Sequence, residues 1–219
     1  NRIAKCGNSS VLLYLHEAIR GEKLEAGNYG EQKRIATNTG KNLASLSAQP
    51  KQLLKLNTLT FFTVTRNPWT RALSAFLDKV GPGKEAKHNQ AAGFGNKSQQ
   101  GFTDFVHYLL EEGLHTDKHW TPQNELLLLS PANYKLCKLE QLCEDLPSIL
   151  IEAGITPPKS SVLQKPHTSE TNKEGKITNA NKKINKYYTN ETIEAVAKLY
   201  KDDFEMGNYS LDPTSIGFQ

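Results

Sequence analysis

The stretch at 59–80, LTFFTVTRNPWTRALSAFLDKV, is the clearest indication of fold in this chain. Residues 59–65 are β-branched or aromatic and nearly all apolar, a composition typical of a parallel strand that is covered on both faces. Arg66 ends this strand, Pro68 suits the first turn of a helix, and apolar residues then recur at helical spacing. The stretch therefore predicts a strand, a turn and a helix.

Residues 2–19, RIAKCGNSSVLLYLHEAI, show the same order of elements near the start of the chain. Ile3 and Ala4 read as the end of a strand. Apolar positions at helical spacing follow, and Ser9 or Ser10 is expected to cap that helix. Between the two elements lies a small, polar turn that contains a glycine.

Further elements follow along the chain. We expect a helix at 102–113, a short strand followed by a helix from about residue 139, and a last helix near 190–206. These units favour an α/β fold in which a central parallel β-sheet is flanked by helices in three layers. A chain of 219 residues with 37% hydrophobic content suits one core, so we predict a single domain over 1–219. Because the first motif lies so close to residue 1, we expect upstream residues to be missing from this sequence.

The composition limits the partners of the chain. Its net charge of +4 is far from the dense Lys and Arg stripe of a dedicated nucleic-acid binder. A small polyanion is therefore the expected ligand, and no nucleic acid is expected. The longest apolar run, the leucines at 126–129, is too short to span a bilayer, so we expect a soluble domain without a transmembrane segment.

The turn before the first helix has the composition of an anion site. A helix N-terminus offers backbone N–H groups and the positive end of the helix dipole to a phosphate or sulfate. Gly7 allows the backbone to approach closely, and Lys5 adds a positive charge. Ser9 and Ser10 add hydroxyl donors. The nucleotide P-loop pattern GxxxxGK[ST] is absent because the lysine precedes the glycine, which disfavours a conventional ATPase.

A second anion site is expected where the strand at 59–65 ends. Arg66 follows the strand at its carboxyl end, where ligands bind in open α/β sheets, and Ser74 lies two turns into the next helix. A guanidinium and a hydroxyl so placed are suited to hold one phosphate between them. The alternative is that Arg66 caps local carbonyls and that Ser74 lies on the helix surface.

Together these segments resemble the sulfotransferases, and among them the Golgi carbohydrate sulfotransferases that modify chondroitin and dermatan. Residues 5–10, KCGNSS, resemble the family's 5′-phosphosulfate loop, and residues 66–81, RNPWTRALSAFLDKVG, resemble its 3′-phosphate motif. Phe76 stands where the family usually has Tyr. Three later blocks resemble the family in the same order: FTDFVHYLLEEG…HTDKHWTPQNELL, YKLCKLEQLCEDLPSIL and YYTNETIEAVAKLYKDDFEMGNY.

The resemblance implies a P-loop-like sulfotransferase fold and a metal-free reaction. In that reaction a sulfuryl group passes from 3′-phosphoadenosine-5′-phosphosulfate (PAPS) to a hydroxyl of a carbohydrate or small alcohol. The resemblance places Lys5 beside the bridging oxygen as a catalytic residue, and Arg66 and Ser74 on the 3′-phosphate. The further donor contacts that it implies at the phosphosulfate are Cys6, Gly7, Asn8, Ser9 and Ser10. In a late loop at 165–176, Thr168, Ser169 and Lys173 are expected at the 3′-phosphate, and the alternative is a solvated polar loop.

A base must accept the proton of the acceptor hydroxyl, and a neutral histidine or a carboxylate suits this task near pH 7. We assign the role to His119, because it lies in a block that resembles the family and lacks apolar periodicity. The alternative is that His119 only packs beside Trp120. Glu17, His16 and Glu125 are the other candidates.

Two other functions stay open. A small-molecule kinase would need ATP and magnesium, but the chain lacks a Gly-Lys-Ser/Thr sequence and an evident acidic magnesium ligand after a strand. A nucleotide- or glycan-binding module would bind without turnover.

We expect a cytoplasmic location. The three cysteines, Cys6, Cys137 and Cys143, have neither zinc-site spacing nor the pattern of a disulfide framework, so no metal is expected. The cysteine pair that follows the His-Trp-x-Pro block in Golgi relatives is missing from this sequence, and we expect no membrane anchor. Asn8 begins a glycosylation sequon, and a glycan there would block the turn. The alternative is the Golgi lumen, if this is the soluble part of an anchored protein.

Overall fold

The computed structural model describes residues 1–22, 59–80, 97–159, 163 and 178–218. The described helices and strands are, in chain order, α1 (Asn8–Arg20), β1 (Phe62–Thr65), α2 (Pro68–Lys79), α3 (Gln99–Glu111), β2 (Lys135–Lys138), α4 (Leu142–Glu152), α5 (Ile184–Tyr187), α6 (Asn190–Leu199) and α7 (Lys201–Met206). Short 3₁₀ helices lie at Gly113–His115, Asn124–Leu126, Pro131–Asn133, Leu139–Gln141, Ala180–Lys183 and Pro213–Ile216. The chain divides into two compact units.

The first unit comprises Asn1–Arg2, Gly7–Val64 and Leu127–Ile177. It contains β1 up to Val64 together with β2, and the two strands pair in parallel. Lys135 N donates to Phe61 O at 2.9 Å at the start of this pairing. Helix α4 packs against β2, so the strand-then-helix order expected near residue 139 is confirmed.

Helix α1 begins at the glycine-containing turn. Gly7 is the N-cap residue with a φ of 67°, a left-handed conformation that glycine adopts without steric cost. A Cβ at Gly7 would lie 2.6 Å from Leu139 Cδ1, so a larger residue would also have to displace that side chain. The helix starts at Asn8, and Ser9 and Ser10 lie in its first turn. The expectation that one of these serines caps the helix is therefore wrong.

The second unit comprises Ile3–Cys6, Thr65–Leu126 and Thr178–Gln219. Helices α2, α3 and α6 pack against one another within it. Helix α2 starts as the sequence predicts: Pro68 occupies the first turn, and the Asn67 side chain accepts the N–H of Trp69 at 3.1 Å. This cap satisfies one of the N–H groups that a helix start leaves without an internal partner.

An aromatic core fills the second unit. Its buried rings include Trp69, Phe76, Phe102, Phe105, Trp120, Tyr187, Tyr188, Tyr200 and Phe204. The rings of Phe102 and Tyr188 meet edge to face with centroids 4.7 Å apart, a favoured aromatic geometry. The Tyr188 hydroxyl donates to the Trp69 carbonyl at 2.7 Å, so its burial leaves no unsatisfied donor.

Two expected elements differ in the structure. Ile3 and Ala4 form no strand, because a turn closed by Cys6 N to Ile3 O at 3.4 Å ends the extended segment. The helix expected near 190–206 is two helices, α6 and α7. They meet at Tyr200, which has a non-helical φ of −115° and whose buried hydroxyl donates to Trp120 O at 2.7 Å. The mixed helix-and-strand class is confirmed, whereas the three-layer sheet stays a prediction.

Replacing Phe102 by Ala is expected to lower the free energy of unfolding by about 3–5 kcal/mol. Phe102 is 0% exposed, and its ring lies 5.4 Å from that of Phe76, so the change leaves a cavity. The matched control on α3 is Leu110→Ala, where the side chain is 42% exposed and the expected loss is under about 1 kcal/mol. Urea unfolding measures both, and equal losses would contradict the prediction.

Candidate active site

Lys5 lies in the tight turn of the second unit that precedes α1 in the chain. Its φ is 68°, a left-handed conformation that costs a non-glycine residue about 1–3 kcal/mol, so its surroundings must hold it there. The Lys5 ammonium lies 3.1 Å from Asp78 Oδ2, in the last turn of α2. Lys79 Nζ lies 3.2 Å from the same oxygen, so two lysines share one carboxylate.

Burial and neighbouring charges shift the pKa values of Lys5 and Asp78. Burial lowers the pKa of Lys5, and the hydrogen bond and charge of Asp78 only partly reverse this. The positive charges of Arg66 and Lys79 lower the Lys5 pKa further. Burial raises the pKa of Asp78, but Lys5 and Lys79 outweigh it and hold that pKa below its ordinary value. We call Lys5, Arg66, Lys79 and Asp78 the cation cluster; a bound anion would relieve the repulsion among its cations.

Arg66 is fixed at both its backbone and its guanidinium. The Gln123 side chain pairs with its peptide groups: Arg66 N donates to Gln123 Oε1 and Gln123 Nε2 donates to Arg66 O, each at 2.9 Å. The guanidinium donates from Nε to Thr70 Oγ1 at 3.0 Å and from Nη1 to Lys5 O at 3.2 Å. Its Nη2 donates to Asn181 Oδ1 at 3.3 Å. The structure thus brings Arg66 onto the turn that carries Lys5.

Ser74 is buried on α2, and its hydroxyl lies 3.1 Å from Thr178 Oγ1. The alternative that Ser74 is a surface residue is therefore wrong. Thr178 and Asn181 belong to one short segment, which contacts both residues predicted at the 3′-phosphate. The sequence offered no signal for these contacts, because no spacing relates this segment to α2. The predicted late-loop contacts, Thr168, Ser169 and Lys173, lie outside the described residues.

The other residues of the predicted phosphosulfate loop follow Lys5 directly. Cys6 is fully buried and its thiol donates to Gln123 Oε1 at 3.2 Å, so this side chain holds the turn in place. Residues 7–10 form the cap and first turn of α1, where the leading N–H groups lack acceptors within the helix. Ser9 and Ser10 place hydroxyls at the same helix start. N–H groups and hydroxyls at a helix start are suited to bind an anion.

His119 pairs with Asp117 in the segment between α3 and β2. Asp117 Oδ1 accepts from His119 N at 2.8 Å and lies 2.5 Å from the ring nitrogen Nδ1. The two side chains are mostly buried. Because an ionised Asp117 can only accept a hydrogen bond, His119 carries a proton on Nδ1. In the neutral ring, Nε2 then has the lone pair that can accept a proton. The Asp two residues before His119 is visible in the sequence, but Asp117 is not among the residues predicted for the site.

The pKa of His119 lies below its ordinary value of 6.5. Burial is the main cause, and the hydrogen bond and charge of Asp117 oppose it. The positive charges of Lys79 and Lys5 lower the pKa further, so the two residues predicted as catalytic interact electrostatically. His119 is therefore mainly neutral at pH 7, the form that accepts a proton.

The other candidate bases have different surroundings. Glu125 is exposed, and its Oε2 lies 3.1 Å from His115 Nδ1. His16 and Glu17 lie on α1 in the first unit. We retain His119, because its ring is oriented by a carboxylate and its pKa is lowered.

A family model described as "Sulfotransferase family" matches residues 1–210. The chain belongs to the sulfotransferase family. Comparisons with curated proteins and with solved structures find no match. The family match supports a transferase of sulfuryl groups and covers both phosphate motifs that the sequence predicts.

Two features are absent from the described part of this sulfotransferase. None of its described helices combines the length and apolar character needed to cross a bilayer. The described residues also contain no group of three or more His, Cys, Asp or Glu side chains placed to hold a metal ion.

Proposed function

We propose that this family member is a PAPS-dependent O-sulfotransferase acting on a hydroxyl of a carbohydrate or small alcohol. The observation that carries the proposal is the cation cluster, with the Asp117-oriented ring of His119 in its electrostatic field. We also propose that the chain forms one sulfotransferase domain with a three-layer α/β fold, which the family match over 1–210 supports.

The charges of the site fit a donor with a phosphosulfate at one end and a phosphate at the other. By its resemblance to the family's motif, the loop at residues 5–10 would hold the phosphosulfate, and Lys5 would supply the positive charge. Arg66 and Ser74 would hold the 3′-phosphate, since a guanidinium can bind two phosphate oxygens at once. Arg66 bonds to Asn181, and Ser74 bonds to Thr178. The Arg66 guanidinium and the Ser74 hydroxyl therefore contact the same short segment of the second unit.

Transfer then depends on positioning and electrostatic stabilisation, as in phosphoryl transfer. Bound PAPS supplies the activated sulfuryl group. The Lys5 ammonium neutralises charge that develops on the leaving phosphate. His119 Nε2 accepts the proton of the acceptor hydroxyl, and Asp117 stabilises the imidazolium that forms.

Donor binding is tested by thermal shift with 3′-phosphoadenosine-5′-phosphate. The nucleotide is expected to raise the melting temperature of the wild-type protein, and Arg66→Ala is expected to abolish this shift because the 3′-phosphate loses its guanidinium. Arg20→Ala, at an exposed arginine in the last turn of α1, is the charge-matched control and should keep the shift. A protein stabilised only by ATP with Mg²⁺ would instead be a kinase.

Turnover is tested by incubating the protein with PAPS and a panel of glycans and small alcohols. An acceptor that gains the mass of one sulfate group supports the proposal and identifies the substrate. Protection by the nucleotide without any sulfated product would indicate a binding module instead.

A further inference from the structure

Arg71 is a buried arginine on α2 to which the proposed reaction gives no role. It is 1% exposed, and its guanidinium donates to three backbone carbonyls. Nε donates to Ala4 O at 3.1 Å, and Nη1 donates to Thr121 O at 2.9 Å. Nη2 donates to Lys118 O at 3.2 Å. All of these residues belong to the second unit.

The three carbonyls flank the two residues that the proposed function makes catalytic. Ala4 directly precedes Lys5, whose left-handed backbone must be held in place. Lys118 directly precedes His119, and the Thr121 carbonyl lies just beyond it along the chain. One rigid side chain therefore joins the turn of the candidate electrostatic catalyst to the segment of the candidate base.

The chemistry of the guanidinium suits this role. Its planar fork directs donors in several fixed directions, whereas a lysine ammonium is a compact charge on a flexible stem. Bonds from a charged donor to carbonyls are stronger than neutral ones, and they compensate for burial of the charge. The buried carboxylate of Asp203 lies in the field of Arg71, and it accepts the N–H groups of Gln123 and Asn124 at 2.7 and 2.8 Å. The three carbonyl acceptors thus fix the position of the Arg71 guanidinium.

We propose that Arg71 is a positioning residue that sets the geometry of Lys5 relative to His119. This inference rests on the proposed function. In-line transfer needs the neutralising charge and the base at fixed places about the reacting group, and a displacement of about 1 Å can lower the rate about 100-fold. Arg71 holds the backbone next to Lys5 and next to His119 through carbonyl groups. Its hydrogen bonds in the described part of the chain go to those carbonyls and not to the side chains of Lys5 or His119.

The test compares Arg71→Lys and Arg71→Ala with the wild-type protein. Both variants are expected to lose about 100-fold in kcat. The affinity for 3′-phosphoadenosine-5′-phosphate should change less than about threefold, because the Arg66 guanidinium is retained. Methylguanidinium at millimolar concentration is expected to restore part of the kcat of Arg71→Ala and none of that of Arg71→Lys, where the site is filled. Arg20→Lys, at an exposed position, is the control.

The possible outcomes distinguish a failure of the positioning role of Arg71 from a failure of the proposed sulfotransferase activity. A wild-type protein that produces no sulfated acceptor contradicts the proposed function and the inference together. An active wild type whose Arg71→Lys variant keeps its kcat contradicts the inference alone. Folded variants that lose nucleotide affinity in proportion to kcat would show that Arg71 serves donor binding. Variants that unfold even with methylguanidinium would show that it holds the fold, and the inference would be wrong.

Discussion

Replacing Lys5 by Met is expected to lower kcat about 10³-fold while the affinity for 3′-phosphoadenosine-5′-phosphate stays nearly unchanged. The ammonium acts on charge that grows on the leaving phosphate, so its interaction is stronger in the transition state than in the ground state. The nucleotide keeps the guanidinium of Arg66 as its anchor. Sulfated product measured by mass gives kcat, and the thermal shift gives the affinity.

The Lys5→Met variant is expected to fold, because the structure leaves no uncompensated carboxylate behind. Asp78 keeps its contact with Lys79, whose Nζ lies 3.2 Å from Oδ2. Methionine fills a similar volume, and as another unbranched non-glycine residue it meets about the same backbone cost as Lys5 at a φ of 68°. Lys198→Met, at an exposed lysine of α6, removes one charge as a control. A Lys5→Met variant with wild-type kcat would show that Lys5 has no catalytic role.

The parts of the fold that could be predicted from sequence have local signals. The apolar run of β1, the proline at the start of α2 and the strand-then-helix order near residue 139 are each encoded by residues that are close together in the chain. The strand expected at Ile3 and Ala4 is missing because the turn at Lys5 depends on bonds from distant residues. Ala4 O accepts from Arg71, and Lys5 O accepts from Arg66. No pattern in residues 2–19 encodes those bonds.

In the candidate site, too, the residues with local sequence signals could be predicted and their distant partners could not. The resemblance of two motifs pointed to Lys5, Arg66 and Ser74, and the structure brings Lys5 and Arg66 together. Their partners could not be found in this way. Asp78 reads as one more polar position of a helix, and only the folded chain places its carboxylate 3.1 Å from the Lys5 ammonium. Thr178 reaches Ser74 across 104 residues of chain, a separation at which periodicity and spacing give no information.

Replacing His119 by Ala is expected to lower kcat/KM by about 10²–10⁴-fold, the usual contribution of a general base. Asp117→Asn should lower kcat/KM by a smaller factor, because the His119 ring remains. The variant loses only the carboxylate that fixes the tautomer of the ring and stabilises its protonated form. Both variants should keep the nucleotide-dependent thermal shift. His107→Ala is the matched control: His107 is an exposed histidine whose Nε2 lies 2.7 Å from Glu191 Oε1, and its loss should leave the rate unchanged.

The pH dependence separates catalysis by His119 from a structural effect. Only neutral His119 accepts a proton, so kcat/KM should fall as the pH drops through the His119 pKa, which lies below the ordinary 6.5. Asp117 raises that pKa, so Asp117→Asn should move the acid limb to lower pH while it lowers the plateau. A structural defect would lower the whole profile without moving the limb. An acid limb that persists in His119→Ala would assign the base to another residue.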